Sequence, residues 1–427
     1  MKTSLLRAAV AGALLGACAG PALAADEAVI QEVLAILKER GIVDAAKYDE
    51  LVAKNTAYET KRTSLLSKIV LTGDFRGRLE NFWYDEDELG GEPDNRNRAR
   101  YRLRVGALVP VNDWFSAGFR LASGETENRS TNRSLGAGVD FDRDRFELDE
   151  AWLQLKLPLE AAPTTVVFGK QSNPFLWKDK GKDYMTWDPD YSLEGLSVRT
   201  TAQPTAQLGL FANAGYFVIE EARTTRDPHF LGLQVGATLQ PSAQLALGGR
   251  VTWFSYGSLT GGSAPSFFTR TGAFGNVALS EHADGSFDQI ESSLFARAAL
   301  SPEWPVLVHA HLAKNLDAGT IVGAGREDLG WGVALEVGDA KQFALLGVGY
   351  YALEADFGPA LYTDSDVVDG FTNREGWAFY VSRQILPGTE LSLELFMSDE
   401  LENGAPFATS VTSAERLRLR SDVNVKF

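Results

Sequence analysis

The sequence predicts an all-β chain: a transmembrane, antiparallel, up-and-down β-barrel of about 16 strands, preceded by a short N-terminal α-helical periplasmic segment. Three observations predict it. The chain ends in a stretch, Arg416 to Phe427, that alternates without a break. Leu417, Leu419, Val423, Val425 and Phe427 share one face, and Arg416, Arg418, Arg420, Asp422, Asn424 and Lys426 share the other. A period of two is a strand, and one of its faces suits hydrocarbon while the other suits water. Such a strand, slightly longer than the ~9–11 residues that cross a bilayer at a tilt, leaves unsatisfied backbone edges in lipid unless neighbours close the sheet. The second observation is that the same period holds from Lys68 to the end. The third is that the connections alternate between short and long.

Taken in order, residues 1–24 read as a secretory leader. Lys2 and Arg7 are its charged region, Ala8 to Ala19 its apolar core, and Ala22-Leu23-Ala24 a small-x-small cleavage site. Leu15-Gly16-Ala17-Cys18 also fits a lipoprotein processing box, although the Ala-x-Ala site follows it. Residues 25–67 form the helical segment. Val29, Ile30, Val33, Leu34 and Leu37 recur at helical spacing, Gly41 stops that helix, and Asp44 caps a second one running toward Leu65. Residues 68–427 form the barrel. Its strands are expected at 68–84, 97–110, 113–124, 146–157, 164–171, 192–201, 205–218, 229–240, 243–256, 287–300, 305–315, 328–338, 341–355, 375–386, 389–400 and 413–427.

Connections after even-numbered strands are short and rich in turn formers, such as Pro110-Val111-Asn112-Asp113, Gln203-Pro204 and Pro387-Gly388. Those after most odd-numbered strands are long and polar: 85–96, 125–145, 172–191, 257–286, 356–374 and 401–412. Short turns on one side and long loops on the other mark an outer-membrane barrel. An even strand count then places both chain ends on the short-turn, periplasmic side. Aromatic residues cluster near strand ends, at Phe82, Trp83 and Tyr84, Trp114 and Phe115, Trp253, Phe254 and Tyr256, Tyr350 and Tyr351, and Trp377 and Phe379, as interfacial girdles would.

Composition sets limits. The 427 residues carry a formal charge of -16, which becomes more negative once Lys2 and Arg7 leave with the leader. That disfavours nucleic acid as a partner. The one cysteine, Cys18, lies in the leader, so no disulfide is expected after cleavage. No Gly-x-Ser-x-Gly, phosphate-binding Gly-rich loop or zinc spacing occurs, and no cofactor or metal is expected. His309 and His311 share a strand face and read as polar lining rather than a metal pair. Asp364 and Asp366 read as solvated loop charge rather than a cation site.

The arginines carry more information. Arg98, Arg100, Arg102 and Arg104 share one face of the second strand, and Ala99, Tyr101, Leu103 and Val105 share the other. An arginine facing lipid at mid-bilayer costs ~2–4 kcal/mol, so the apolar set belongs outside and the arginines face the lumen. Arg76 and Arg78 on the first strand and Arg416, Arg418 and Arg420 on the last follow the same rule. Closing the barrel pairs the last strand with the first and gathers all these arginines on one wall. Two readings stay open: an ion-guiding wall, or a structural network neutralised by Asp74, Glu80 and Asp422.

Gly169-Lys170-Gln171-Ser172-Asn173-Pro174-Phe175, Trp187-Asp188-Pro189-Asp190, Glu194-Gly195-Leu196 and Leu148-Asp149-Glu150-Ala151-Trp152-Leu153 resemble the bacterial putative-porin family of outer-membrane barrels. The N-terminal helical segment is similar to the leader of that family and of phosphate-selective porins. The resemblance implies a passive channel, a homotrimer, in a Gram-negative outer membrane amid lipid and lipopolysaccharide. It implies that terminal Phe427 is the signal read by the barrel-assembly machinery. It also implies that loop 172–191 folds into the lumen, setting Asp183, Asp188 and Asp190 opposite the wall of Arg76, Arg78, Arg98, Arg100, Arg102 and Arg104. The expected function is passive diffusion of small hydrophilic solutes and ions. The alternatives are a solute-selective channel for an anion such as phosphate or an organic acid and, more remotely, an outer-membrane enzyme.

Overall fold

The computed structural model describes residues 33–66, 68–84, 95–124, 129–138, 143–177, 185–259, 275–277, 287–301, 304–366, 370–402 and 415–427. The expected leader, 1–24, lies outside them. The chain divides into two compact units between Ile69 and Val70.

The first unit is helical. α1 spans 33–39, and α2 spans Ala45–Leu66. Gly41, at φ 66°, takes the left-handed conformation between them. The carboxylate of Asp44 accepts the backbone N–H of Lys47 at 2.7 Å, an N-cap that satisfies one donor of the first turn of α2.

The second unit is a closed antiparallel barrel of sixteen strands. They are β1 (Val70–Tyr84), β2 (Arg96–Pro110), β3 (Phe115–Ser123), β4 (Phe146–Leu157), β5 (Thr164–Ser172), β6 (Ser192–Ala202), β7 (Leu208–Val218) and β8 (His229–Ser242). The second half comprises β9 (Leu245–Gly257), β10 (Phe287–Ala299), β11 (Pro305–Asn315), β12 (Leu329–Gly338), β13 (Leu345–Leu353), β14 (Arg374–Leu386), β15 (Thr389–Glu400) and β16 (Arg416–Lys426). Each strand pairs with the next, and β16 returns to β1. Every expected strand is present to within a few residues. A two-residue segment, Arg133–Ser134, adds to β2 above the point where β3 ends.

Alternation sorts the side chains as lipid and water require. Leu79, Phe168, Val235, Leu294, Val333 and Val423 are exposed on the outer face, while their strand neighbours Arg78, Val167, Gln234, Ser293 and Ala334 are buried within the barrel. The aromatic girdles are sparser than expected. Trp83, Trp114, Phe115, Trp377 and Phe379 are exposed, but Phe82, Phe254, Tyr256 and Tyr351 are buried. Adjacent strand residues point to opposite faces, so Phe82 and Phe254 turn inward beside Trp83 and Trp253.

The inward aromatics build a core inside the lumen. Phe217, Phe230, Phe254, Tyr256 and Phe287 pack with Phe175, Trp187, Leu193, Leu259, Leu361 and Tyr362. Gly232 makes room for it: a Cβ there would stand 2.3 Å from the Phe175 ring. At the chain end, backbone bonds run both ways between Gly73 and Phe427, at 2.8 and 3.0 Å. The Phe427 ring lies over Gly73, where a Cβ would come within 2.3 Å of it.

Candidate functional site: a charged wall held by two inward loops

Closure places β16, β1 and β2 side by side, and the register stacks their inward residues in rows. Asp74 faces Arg104; Arg76 faces Arg102 and Asn424; Arg78 faces Arg100 and Asp422; Glu80 faces Arg98 and Arg420. The side chains pair within and between rows. Asp422 accepts two hydrogen bonds from Arg78, each 2.9 Å. Asp74 receives Arg102 and Arg104, both at 2.7 Å. Glu80, with its side chain 0% exposed, receives Arg98 at 2.7 Å and also Arg418, with Arg100 at 3.9 Å. Arg420 bonds Glu394 at 2.5 Å. Arg76 donates to Asn424 at 2.9 Å and stands 3.9 Å from Asp422. Arg416 stacks its guanidinium 4.8 Å from the centre of the Tyr84 ring.

Two loops complete this wall. The described parts of the segment after β5, 173–177 and 185–191, lie inside the barrel. The Phe175 carbonyl accepts hydrogen bonds from Gln234 at 2.9 Å and from Arg250. Trp177 packs against Phe211 and Phe295. Met185 joins a cluster with Ala313, Tyr351, Leu353 and Phe357, and Thr186 bonds Glu291. Asp190 then arrives 3.5 Å from Arg102 and 3.6 Å from Arg104. The second loop follows β13. Its Asp366 reaches Arg78 and Arg418, both at 3.4 Å, and Arg420. The two loops bind each other. Ser365 donates its N–H and its hydroxyl to Asp188 at 2.9 and 2.6 Å, Asp188 donates its N–H to the Tyr362 carbonyl at 2.8 Å, and Trp187 stacks on Tyr362 at 4.5 Å. Arg129, from the loop between β3 and β4, donates to the carbonyls of Thr363 and Gly370 at 3.0 and 2.6 Å.

The loop carboxyls split electrostatically. Burial pushes Asp190 up, but Arg102, Arg104 and Arg76 outweigh it and hold the group at about 2. Burial opposes ionisation of Asp366 too, and Arg420, Arg78, Arg418 and Arg76 override it, holding the group well below the usual carboxylate range. Asp188 lacks such partners. Burial, then Asp190 and Asp366, raise it to about 7. Asp364 is raised well above its ordinary value by burial, Asp188 and Asp366.

The structure therefore redistributes the residues expected at this site. Arg76, Arg78, Arg98, Arg100, Arg102, Arg104, Arg418 and Arg420 share one network, and Asp190 meets it. Asp188 faces the neighbouring loop instead of an arginine. Asp183 lies outside the described residues. Asp364 and Asp366 correct the reading of solvated loop charge: Asp364 is 1% exposed, and Asp366 grips three arginines. A long loop acquires such contacts only by folding inward, which its local sequence does not record. Also unforeseen is a bulge in β4. Arg120 pairs with Glu150 and the next residue, Leu121, with Leu148, leaving Asp149 as an extra residue. Both Asp149 and Glu150 thereby reach Arg120, at 2.5 and 2.8 Å. His309 and His311 bond each other at 2.8 Å, and His311 bonds Ser293 at 2.8 Å.

A closed sixteen-stranded barrel with an apolar outside, a charged inside and an inward loop after β5 defines a class, that of the outer-membrane porins. The resemblance read from the sequence is borne out: a family model described as putative porin matches residues 90–296. Among solved structures the chain is similar to OprB of Pseudomonas putida, determined at high pH. The identity is 12%, the match covers 87% of this chain and 97% of the other, and the TM-score is 0.53, a likeness of fold. Also similar are the outer membrane channel DcaP of Acinetobacter baumannii (12% identity, 84% and 97% covered, TM-score 0.48) and a Rhodopseudomonas blastica porin variant (10% identity, 84% and 100% covered, TM-score 0.43). No curated protein matches the chain in sequence.

Proposed function

We propose that this protein is a diffusion channel of the Gram-negative outer membrane. It passes small hydrophilic solutes and ions through a constriction between the charged wall and the two inward loops. One observation carries the reading: a barrel of sixteen strands, whose circumference leaves an aqueous passage, holds inside it Phe175 and Trp187 from the segment after β5, and Asp190 of the same segment meets Arg102 and Arg104. Opposite charges meeting across a low-dielectric passage focus a field there. Polar solutes align in such a field, whereas apolar ones must displace ordered water. Arginine suits the wall because it stays charged at any relevant pH and bonds carboxylates through a planar fork. The arginine-rich wall supports a modest anion preference.

The same reading makes the assembly a homotrimer, held among outer-membrane lipid and lipopolysaccharide, with residues 25–67 in the periplasm. No chemistry is assigned to the lumen. Liposomes carrying the purified protein should swell in iso-osmotic solutions of small neutral polyols, at a rate that falls as solute size rises. Absence of swelling with correctly folded barrels would overturn the channel.

A further inference from the structure

The arginine ladder is the obvious source of ion preference, yet its charges are largely matched. Arg78, Arg98, Arg102, Arg104, Arg418 and Arg420 each hold a carboxylate. Among the described residues, two luminal cations outside the ladder and close to each other hold none. Lys156 lies on β4 and Arg199 on β6, and the register sets them in one row: Lys156 faces Thr165 on β5, and Thr165 faces Arg199. Parity turns this row inward. Leu153, Phe168 and Leu196, of opposite parity to the row, are exposed on the outer face. Val167 and Ser197, which share its parity, are buried inside.

Among the described residues, no carboxylate oxygen lies within the 4 Å of an ion pair from either cation. Arg199 makes only long contacts, to the side-chain oxygen of Gln171 at 3.5 Å and the carbonyl of Ser172 at 3.4 Å. Its Nε is buried without a hydrogen-bond partner. Glu150 acts on it at longer range, but that carboxylate is held by Arg120 at 2.8 Å. Lys156 is exposed to water. Asp113 lines the same cleft, of about 320 Å³, without forming an ion pair with it. Strands lie ~4.8 Å apart, so the backbones of Lys156 and Arg199 stand roughly 10 Å apart. Their long side chains can converge over Thr165.

We propose that Lys156 and Arg199 form a luminal binding site for small oxyanions, carboxylate or phosphate, on the short-turn side of the loop constriction. The inference rests on the channel reading and locates its ion preference: the free pair sets it more than the paired ladder does. A guanidinium presents a fork of donors that fits two oxygens of one anion, and an ammonium adds a point charge. A matched arginine contributes mainly a dipole to the passage. The unmatched pair contributes net charge, and the low-dielectric wall carries its field to a passing ion.

The test uses the full-length protein in planar bilayers. Reversal potentials in a KCl gradient give the anion-over-cation permeability ratio for wild type, Lys156→Gln, Arg199→Gln and the double variant. Screened Coulomb interaction over one Debye length predicts about a threefold fall in the ratio for the double variant and a smaller fall for each single one. Inorganic phosphate should saturably reduce chloride current in wild type and lose that effect in the double variant. Arg100→Ser with Arg102→Ser should lower the ratio less. An unchanged ratio in a conducting double variant, or a larger fall in the ladder variant, would overturn the inference and leave the channel standing. A folded wild-type barrel that passes no current would remove both. Lys156→Arg, which keeps the charge, should retain the wild-type ratio; loss of it would point to packing rather than charge.

Discussion

Asp366 offers the sharpest test of how the constriction is held. The change Asp366→Asn removes the charge that meets Arg78 and Arg418 at 3.4 Å and also Arg420. Breaking a fully buried ion pair costs ~3–5 kcal/mol. Two features lower that figure here. Each arginine keeps another carboxylate: Asp422 at 2.9 Å for Arg78, Glu394 at 2.5 Å for Arg420, and Glu80 for Arg418. The Asp366 side chain is also 23% exposed, so water takes part of the charge. A loss of ~2 kcal/mol in loop docking follows, about a thirtyfold change in the docking equilibrium. The barrel itself, held by its strand ladders, should keep its melting temperature on unboiled gels. Single-channel recordings should show larger conductance steps and more open-channel noise than wild type. Limited proteolysis should cut between Asp356 and Asn373 sooner. Wild-type conductance, noise and cleavage together would refute the docking role of Asp366.

Further outcomes follow from the same geometry. Asp188 is raised to about 7, so the docked loops bind a proton there that undocked loops release. That contribution to docking is full below about pH 4, the ordinary aspartate range, and is lost as pH rises through about 7. Channel noise should therefore rise between pH 5 and pH 8, and Asp188→Asn should flatten the profile; a profile unaltered by this change would exclude Asp188. Deleting Phe427 should lower the amount of folded protein in the outer membrane, measured by heat-modifiable mobility, and equal assembly would count against the terminal signal. Gly73→Val should disturb the same chain end by displacing the Phe427 ring, seen as a lower unfolding temperature. Removing residues 25–67 should leave a conducting barrel, and loss of all β-structure in the circular dichroism spectrum would show the boundary to be misplaced.

Much of this architecture is legible in the sequence because lipid imposes a simple rule. A strand with hydrocarbon on one side and water on the other must alternate, and Arg98 to Val105 and, apart from Ser421, Arg416 to Phe427 do so. The cost of an arginine in lipid then fixes which face is inside. Closure follows from unsatisfied edges, and it alone brings Arg420 to Glu80 and Asp422 to Arg78. The same rule, applied to Leu153, Leu155 and Leu157 on β4 and to Leu196 and Val198 on β6, assigns Lys156 and Arg199 to the lumen; the denser arginine pattern draws attention from them. Contacts made by loops escape the rule. Asp366 and Arg78 are separated by 288 residues, and no local period announces their meeting. Aromatic clusters mislead for a related reason: Phe254 and Tyr256 face inward to pack with the loops, while Trp253, next to Phe254, takes the other face. The Asp149 bulge reverses parity within one strand, which alternation alone does not reveal.

The central claim is that the lumen conducts. Purified full-length protein, shown to be folded by its heat-modifiable mobility, would be added to a planar lipid bilayer in 1 M KCl, a salt concentration that shortens electrostatic screening to about 3 Å. Stepwise, ohmic increases in current of uniform size are the predicted result. A folded barrel that inserts, as shown by co-flotation with the lipid, yet passes no current at any voltage would contradict the account.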